Sequence, residues 1–263
     1  MAATQQIYIT EPYFSVCRYI EETLAKHGYE AWLVGGSVRD LLIAGKLSDL
    51  DYTTDATPEK VQKIFPRTVP VGIKFGTILV LYKGQKVEVT TYRAESYDAS
   101  SRKPEVSYGT SLEEDLRRRD FTVNAMAVRL PSLELVDPFG GLDDLGAGLL
   151  RTPGTPEESF GDDPLRMMRA ARFASTLGLD VAPEVVEAMT AMCGRLAIVS
   201  AERVRDELVK LVLGAHPRAG LRLLVDTGLA QLVLPELPAL ALEVDEHHRH
   251  KDVYEHTLQV LER

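Results

Sequence analysis

The chain has 263 residues, of which 45% are hydrophobic and 26% charged, and this globular composition excludes disordered, collagen-like and low-complexity classes. Its net charge of -9 argues against a protein that binds DNA through a strongly basic surface. Two cysteines cannot form a disulfide framework, no apolar run is long enough to cross a membrane, and no signal-peptide pattern opens the chain. The sequence therefore predicts a soluble, cytoplasmic protein with no membrane or DNA partner.

Helices and strands are mixed in the first half of the chain. Apolar periodicity, short apolar runs and the Gly and Pro residues between them set the expected boundaries. We expect, in order, a helix over 12–27, a buried strand over 31–34, a helix over 37–42, a strand over 50–53, a helix over 58–65, a hairpin with strands over 77–82 and 86–92, a mobile polar loop over 96–110, a strand over 134–136 and turns over 137–148.

Proline at the start and glycine after the end mark the expected helices of the second half. These helices span 164–177, 183–193, 201–213 and 217–227, and another begins over 254–261. Because the chain stops inside that last helix, we expect a truncated C-terminal domain. The predicted fold class is α+β, with a mixed-sheet domain followed by a helical part.

Small residues and carboxylates surround the first two predicted strands. Gly35, Gly36 and Ser37 end one strand and open a helix, so backbone amides and the positive helix end are placed to close on a triphosphate. Asp49 and Asp51 are two residues apart on an expected strand, which would present both carboxylates on one side, an arrangement that suits Mg²⁺. Taken alone, a solvated strand end and a simple turn explain the same residues.

Glu88 belongs to the hairpin strand that is expected beside the strand of Asp49 and Asp51. A third carboxylate there would complete a site for two metal ions, one for an attacking hydroxyl and one for the leaving oxygen. The alternative is an exposed strand glutamate.

Three consecutive arginines and an aspartate, Arg117 to Asp120, open the segment RRRDFTVNAMA. Neighbouring like charges are costly unless anions or carboxylates neutralise them. Phe121, Val123 and Met126 are expected to be the buried apolar residues of the same element. A binding site for an anion and a salt-bridged helix start both remain open.

Arginines recur every three residues in the segment SFGDDPLRMMRAARF. We expect Asp163 to cap this helix, and Arg166, Arg169 and Arg172 to form one stripe along it. An aspartate and an arginine that face a cleft match the hydrogen-bonding edge of a nucleobase. A surface helix with an arginine stripe is the alternative.

Together these segments resemble the class II tRNA nucleotidyltransferases, which are the bacterial and eukaryotic CCA-adding enzymes, and the related bacterial poly(A) polymerases. The resemblance runs from about Tyr13 to the end of the chain. It rests on LVGGSVRD with DLDYTT, GIKFGTILV with KVEVTTYR, DLRRRDFTVNAMA, DPFGGLDDL, FGDDPLRMMRAARF and SAERVRDELVKLVL.

The resemblance implies three domains. They are a nucleotidyltransferase head of the polymerase-β type over residues 1–150, a helical neck for nucleobase selection over 151–215, and the start of a helical body over 216–263. The ending HHRHKDVYEHTLQVL resembles the start of an HD phosphohydrolase-type domain, in which His256 would be the first metal ligand and its partner pair would lie beyond Arg263.

The resemblance also implies residue roles. Asp49 and Asp51 bind catalytic Mg²⁺; Glu88 is kept beside them as a candidate catalytic residue because of its place on the neighbouring hairpin strand. Asp163 and Arg166 serve as an amino-acid template that pairs with the incoming base. The residues assigned to nucleotide binding are Gly35, Gly36, Ser37, Arg39, Arg119, Asp120, Asn124, Asp163, Arg166, Arg169 and Arg172, with Asp120 and Asn124 for the ribose.

The implied reaction is the addition of C, C and A to the tRNA 3′ end from CTP and ATP. The polar segment 96–110 and GIKFGTILVLYKG resemble the complete CCA-adding enzymes, and Asp162 stands where the family has glutamate. A-adding or poly(A) synthesis is the alternative within the family. Outside it, the alternatives are a nucleotidyltransferase that acts on a small molecule or protein, and a fragment that binds RNA without turnover.

Overall fold

The computed structural model describes residues 9–47, 49–72, 76–96, 105–109, 111–130, 132–240 and 253–262. The chain divides into two compact units, Met1–Asp143 and Asp144–Arg263. The first unit carries a mixed sheet and the second is mainly helical, so the predicted α+β class is confirmed. Within the described ranges, no helix is both long and apolar enough to cross a membrane.

The first unit contains most of the strands. They are β1 Ala31–Val34, β2 Asp51–Thr54, β3 Thr68–Gly72, β4 Thr77–Tyr82, β5 Gln85–Thr91, β6 Arg93–Ser96, β7 Glu105–Tyr108, β8 Ala127–Arg129 and β9 Glu134–Val136. The helices are α1 Tyr13–Lys26, α2 Gly36–Ala44, α3 Pro58–Ile64, α4 Leu112–Arg117, a 3-10 helix at Thr122–Asn124, and α5 Gly141–Ala147, which runs past the end of the unit.

Seven strands form one sheet in the order β3-β4-β5-β2-β1-β8-β9, and β6 pairs with β7 separately. Within the seven-stranded sheet, β2 and β5 run parallel and the other neighbours are antiparallel. The four residues of β1 are all buried, and α1 packs against this strand. The face of α1 that is buried carries apolar residues at helical spacing, namely Val16, Cys17, Ile20 and Leu24.

The predicted hairpin is confirmed, with a tighter turn than expected. Lys83 and Gly84 have φ values of 47° and 77°, as a two-residue turn with positive φ at both positions requires. The second strand therefore begins at Gln85, and Glu88 lies within it.

Other segments of the first unit differ from expectation. β3 is not among the predicted strands, and it contains Pro70. The strand lies at the sheet edge and its register shifts between Val69 and Gly72, which accommodates proline. The expected loop over 96–110 is wrong at its end, where β7 forms by pairing with β6; residues 97–104 lie outside the described residues. The expected turns over 137–148 are wrong where α5 forms.

The second unit is mainly helical. Its elements are β10 Leu149–Leu150, α6 Pro156–Asp162, α7 Leu165–Leu177, β11 Asp180–Val181, α8 Pro183–Met192, a 3-10 helix at Cys193–Ile198, α9 Ala201–Val212, α10 Pro217–Asp226, α11 Ala230–Val233, α12 Glu236–Ala239 and α13 Val253–Leu261. The predicted helices of this half are confirmed with small shifts at their ends. α7 is central and packs against α9 and α10; α6 is not predicted.

Candidate active site

A sharp turn joins β1 to α2 at Gly35, whose φ of 69° lies in the left-handed region that favours glycine. A Cβ at this position would lie 2.9 Å from Nη1 of Arg119, so the backbone of the turn closely approaches a guanidinium. α2 begins at Gly36, and the positive end of its dipole faces the turn. A guanidinium beside a helix N-terminus favours an anion.

Asp51 is the first residue of β2 and pairs in register with Glu88 of the parallel strand β5. Its backbone N–H donates to Oγ of Ser37 at 3.2 Å, which ties β2 to the first turn of α2. Burial and the carboxylate of Glu88 raise the pKa of Asp51 to about 6. The guanidinium of Arg119 opposes that rise, and the carboxylate of Asp49 adds to it. The charges of Glu88 and Asp49 therefore both repel the charge of Asp51 at the start of β2.

The expectation that Asp49 lies on a strand is wrong. β2 begins at Asp51, and Asp49 is exposed at a bend before it, so strand alternation does not bring the two carboxylates together, although Asp49 still acts on the pKa of Asp51. In the described part of the chain, no group of three or more His, Cys, Asp or Glu side chains is arranged to hold a metal ion. Magnesium usually binds one or two carboxylates together with substrate phosphates. Asp51, with the charges of Glu88 and Asp49 acting on it, fits a divalent ion held in that way.

A buried chain of hydrogen bonds connects α2 to the 3-10 helix at Thr122–Asn124. Nη1 of Arg39 donates to Oδ1 of Asn124 at 2.7 Å, and Nδ2 of Asn124 donates to Oδ1 of Asp120 at 3.0 Å. All three side chains belong to buried residues. The structure thus brings three predicted nucleotide-binding residues into one network with fixed donors and acceptors.

Asp115 is a fully buried carboxylate that our sequence reasoning does not single out. Arg118 and Arg119 donate to it through their Nη2 atoms at 3.0 and 3.1 Å, and Oγ1 of Thr53 on β2 donates to it at 3.3 Å. Burial alone would raise the pKa of Asp115, but the guanidiniums of Arg119 and Arg118 outweigh burial and hold that pKa below its ordinary value. An aspartate three and four residues before two arginines is the sequence signal that would have found it.

The second unit carries Asp163 and Arg166 at the start of α7. Oδ1 of Asp163 accepts the N–H of Leu165 at 3.1 Å, as a capping side chain does, although the helix begins one residue later than expected. Its Oδ2 accepts from Nη2 of Arg203 at 2.8 Å. Nη1 of Arg166 donates to Oγ of Ser159 at 2.9 Å. Neighbouring side chains therefore orient both predicted template residues.

Arg169 and Arg172 lie further along α7 and contact protein groups. Nε of Arg172 pairs with Oε2 of Glu207 on α9 at 3.0 Å, with 14% of the arginine side chain exposed. The two guanidinium carbons lie 5.6 and 4.2 Å from the ring centre of Phe173. The Arg172–Glu207 pair supports the packing of α7 against α9, whereas the contacts with Phe173 lie within α7.

The histidines of the tail, of which the resemblance gives His256 a role as a metal ligand, are only partly described. His256 is exposed on α13, whereas His247, His248 and His250 lie outside the described residues. α13 is joined to α10 through Glu255, which accepts from Arg218 and Arg222 at 2.5 Å each.

The chain is similar to known proteins over most of its length. Residues 31–151 match the family model described as "Poly A polymerase head domain", and residues 178–240 match the one described as "Probable RNA and SrmB- binding site of polymerase A". The CCA-adding enzymes of Anoxybacillus flavithermus and Bacillus velezensis are 46% and 47% identical over 82% and 83% of the chain. Each alignment covers 54% of the relative, so the chain spans about half the length of the curated relatives it matches.

Solved structures give the same result. The Bacillus stearothermophilus CCA-adding enzyme in complex with CTP matches with a TM-score of 0.77 and 43% identity, covering 84% of this chain and 53% of that one. The Thermotoga maritima CCA-adding enzyme complexed with tRNA matches with a TM-score of 0.69 and 26% identity, covering 96% and 63%. The chain belongs to the family of class II CCA-adding enzymes and poly(A) polymerases.

Proposed function

We propose that the chain adds C, C and A to the 3′ end of tRNA, with CTP and ATP as substrates. The tRNA 3′ hydroxyl loses its proton to solvent and its oxygen forms a bond to the α-phosphorus. The bond from that phosphorus to the oxygen that bridges it to the β-phosphorus breaks, and pyrophosphate leaves. The observation that carries the proposal is the crowding of Asp51 with Glu88 and Asp49 beside the Gly35 turn, in a chain 46% identical to a CCA-adding enzyme. Crowded carboxylates beside an anion-binding turn suit metal-assisted transfer from a nucleoside triphosphate.

Nucleotidyltransferases of this family typically depend on a metal ion, and we assign Mg²⁺ to Asp49 and Asp51. Bound there, the ion would lower the pKa of the attacking hydroxyl and neutralise phosphate charge. Glu88 is assigned as the third catalytic carboxylate, because its charge already acts on Asp51 and increases the attraction for a cation.

The nucleotide is assigned to the Gly35 turn and the buried hydrogen-bond chain behind it. The turn offers a guanidinium and a helix N-terminus for phosphates, and the chain offers oriented polar groups for a ribose. The triphosphate is assigned to Gly35, Gly36, Ser37, Arg39 and Arg119, and the ribose to Asp120 and Asn124.

Recognition of the base is assigned to Asp163 and Arg166 at the start of α7. A carboxylate that accepts and a guanidinium that donates match the polar edges of cytosine and adenine. Arg169 and Arg172 are assigned to the same arginine stripe. In this proposal residues 1–150 are the catalytic head, 151–215 the neck, and 216–263 the start of the body, in a cytoplasmic enzyme.

A gel assay tests the activity directly. A labelled tRNA that ends before CCA is incubated with the chain, Mg²⁺, and CTP, ATP or both. We expect two added nucleotides with CTP and a third only when ATP is also present.

Other outcomes identify the second candidates. Addition from ATP alone would support A-adding or poly(A) synthesis, which the match to the poly(A) polymerase head model favours. Nucleotide binding without addition would overturn the proposed activity and support RNA binding without turnover, consistent with the 54% of each relative that the chain covers.

A further inference from the structure

We propose that Asp115 is a positioning residue for the substrate triphosphate: it holds Arg119 so that the guanidinium is presented at the Gly35 turn. The inference rests on the proposed function, because it assumes that a nucleoside triphosphate occupies this turn. It adds a residue that lies behind the site and reaches the substrate only through Arg119.

Asp115 is placed to fix Arg119 rather than to meet a ligand. Its side chain is 0% exposed, and it lies on α4, where it contacts Arg118, Arg119 and strand β2. Oγ1 of Thr53, two residues along β2 from Asp51, lies 3.3 Å from Oδ2, the oxygen that accepts from Nη2 of Arg119, and shares its one hydrogen between this oxygen and the carbonyl of Thr90. One carboxylate oxygen therefore links the strand of Asp51 to the guanidinium.

Arg119 uses one side of its guanidinium for this contact. Nη2 donates to Asp115, whereas Nη1 lies 2.9 Å from where a Cβ on Gly35 would stand. Among the residues that the structure describes, Nη1 of Arg119 donates to no protein acceptor and its Nε is buried without one. The positive charge of the guanidinium also favours the ionised form of Asp51. Its unused donor thus faces the turn at which the anion is expected.

The charges of this cluster favour an anion at the turn. One ionised carboxylate neutralises only one of the two guanidiniums that it binds, so Asp115, Arg118 and Arg119 together keep a positive charge. A charge-assisted hydrogen bond from a fixed guanidinium to a phosphate is stronger than one from a mobile side chain, because less conformational entropy is lost on binding.

The test is a double-mutant cycle with sodium tripolyphosphate as the probe, measured by titration calorimetry on the 263-residue chain. Asp115→Asn and Arg119→Gln are each expected to weaken tripolyphosphate binding by about tenfold or more. If Asp115 acts through Arg119, the double variant binds no more weakly than Arg119→Gln alone.

Asp137→Asn is the matched control. Asp137 is also a head carboxylate with a structural task, since it accepts the N–H groups of Gly141 and Leu142 at the start of α5. This variant is expected to lower the melting temperature and to leave tripolyphosphate affinity unchanged, which separates stability from positioning.

Asp115→Glu keeps the charge and serves if the asparagine variant does not fold. It moves the carboxylate by one methylene, so we expect it to weaken tripolyphosphate binding in the wild-type background. In the Arg119→Gln background we again expect no further loss. Unchanged affinity in a folded Asp115 variant, or losses that add in the double variant, would overturn the positioning role. If either of these results is found while the wild-type chain binds CTP and adds it to tRNA, only the positioning role fails. If the wild-type chain binds neither tripolyphosphate nor CTP, the proposed function fails as well.

Discussion

Tyr52 donates its hydroxyl to Oε1 of Glu21 at 2.9 Å, deep inside the first unit. Tyr52 follows Asp51 on β2, so the bond ties α1 to the strand of the candidate site. Glu21 is only 7% exposed and also accepts the backbone N–H of Leu130 at 2.9 Å. Burial raises the pKa of Glu21 to about 7, against the opposing effect of these hydrogen bonds and of Arg129.

This buried carboxyl predicts a pH dependence of stability. Because the folded pKa of Glu21 is raised from 4.5 to about 7, the folded state holds a proton that the unfolded state has lost, and stability falls as the pH rises from about 4.5 to about 7. Glu21→Gln should remove that fall, which is at most roughly 3 kcal/mol. Urea unfolding of both proteins across this range measures it.

Glu22→Gln is the control for that experiment. Glu22 is the next residue on α1, half exposed and paired with Arg18 at 2.6 Å, and surface pairs contribute little to stability. The difference between wild type and Glu22→Gln should stay small across the same pH range. Parallel pH curves for wild type and Glu21→Gln would show that the buried carboxyl does not titrate as proposed.

The elements that the sequence predicts well are those with strong local signals. β1 has the expected bounds because its apolar run ends at two glycines, and the helices after 164 begin and end close to their proline and glycine signals. β3 contradicts its local sequence, since Pro70 is tolerated only because the strand is at the edge of the sheet. Pairing with the next strand, β4, decided that strand.

The same distinction holds for the candidate site. Paired carboxylates and glycines are visible as residue types, so Asp51 and Gly35 are predictable. The bend that takes Asp49 out of the strand depends on where β2 starts to pair with its neighbours. The spacing of Asp115 before Arg118 and Arg119 signals an ion pair, but the burial of Asp115 comes from packing α4 against the sheet region around Thr53, which that spacing does not reveal.

Asp51→Asn should separate function from stability. Removing this carboxylate should abolish nucleotide addition if it holds the metal. In the absence of metal, it should raise the free energy of unfolding by roughly 1–2 kcal/mol, because a buried charge that is repelled by Glu88 is lost. The gel assay and urea unfolding at pH 7 measure the two effects. Asp55→Asn, beyond the other end of β2, removes the negative charge of an exposed side chain that accepts the Glu30 N–H, and it should keep activity. Full activity of Asp51→Asn would remove Asp51 from the metal site.

Gly220→Ala should destabilise the second unit. A Cβ at Gly220 would lie 2.6 Å from the carbonyl oxygen of Ala171 on α7, and a backbone atom cannot move aside cheaply, so we expect a loss of roughly 1–3 kcal/mol. Gly161→Ala is the matched control, because nothing lies within 4 Å of its Cβ position on α6 and alanine favours the helix by about 0.5–1 kcal/mol. Thermal unfolding compares them; equal melting temperatures would contradict the close packing of α10 on α7.

Arg166→Ala should change which nucleotide is added more than how fast it is added. The guanidinium is oriented by Ser159 at 2.9 Å, and loss of a well-placed pair with a base edge should reduce the preference in kcat/KM for CTP over UTP by roughly 10- to 100-fold. Single-nucleotide addition to tRNA measures both quantities. Arg205→Ala removes an exposed arginine that pairs with Asp206 and should leave the preference intact, whereas unchanged selectivity in Arg166→Ala would exclude Arg166 from base recognition.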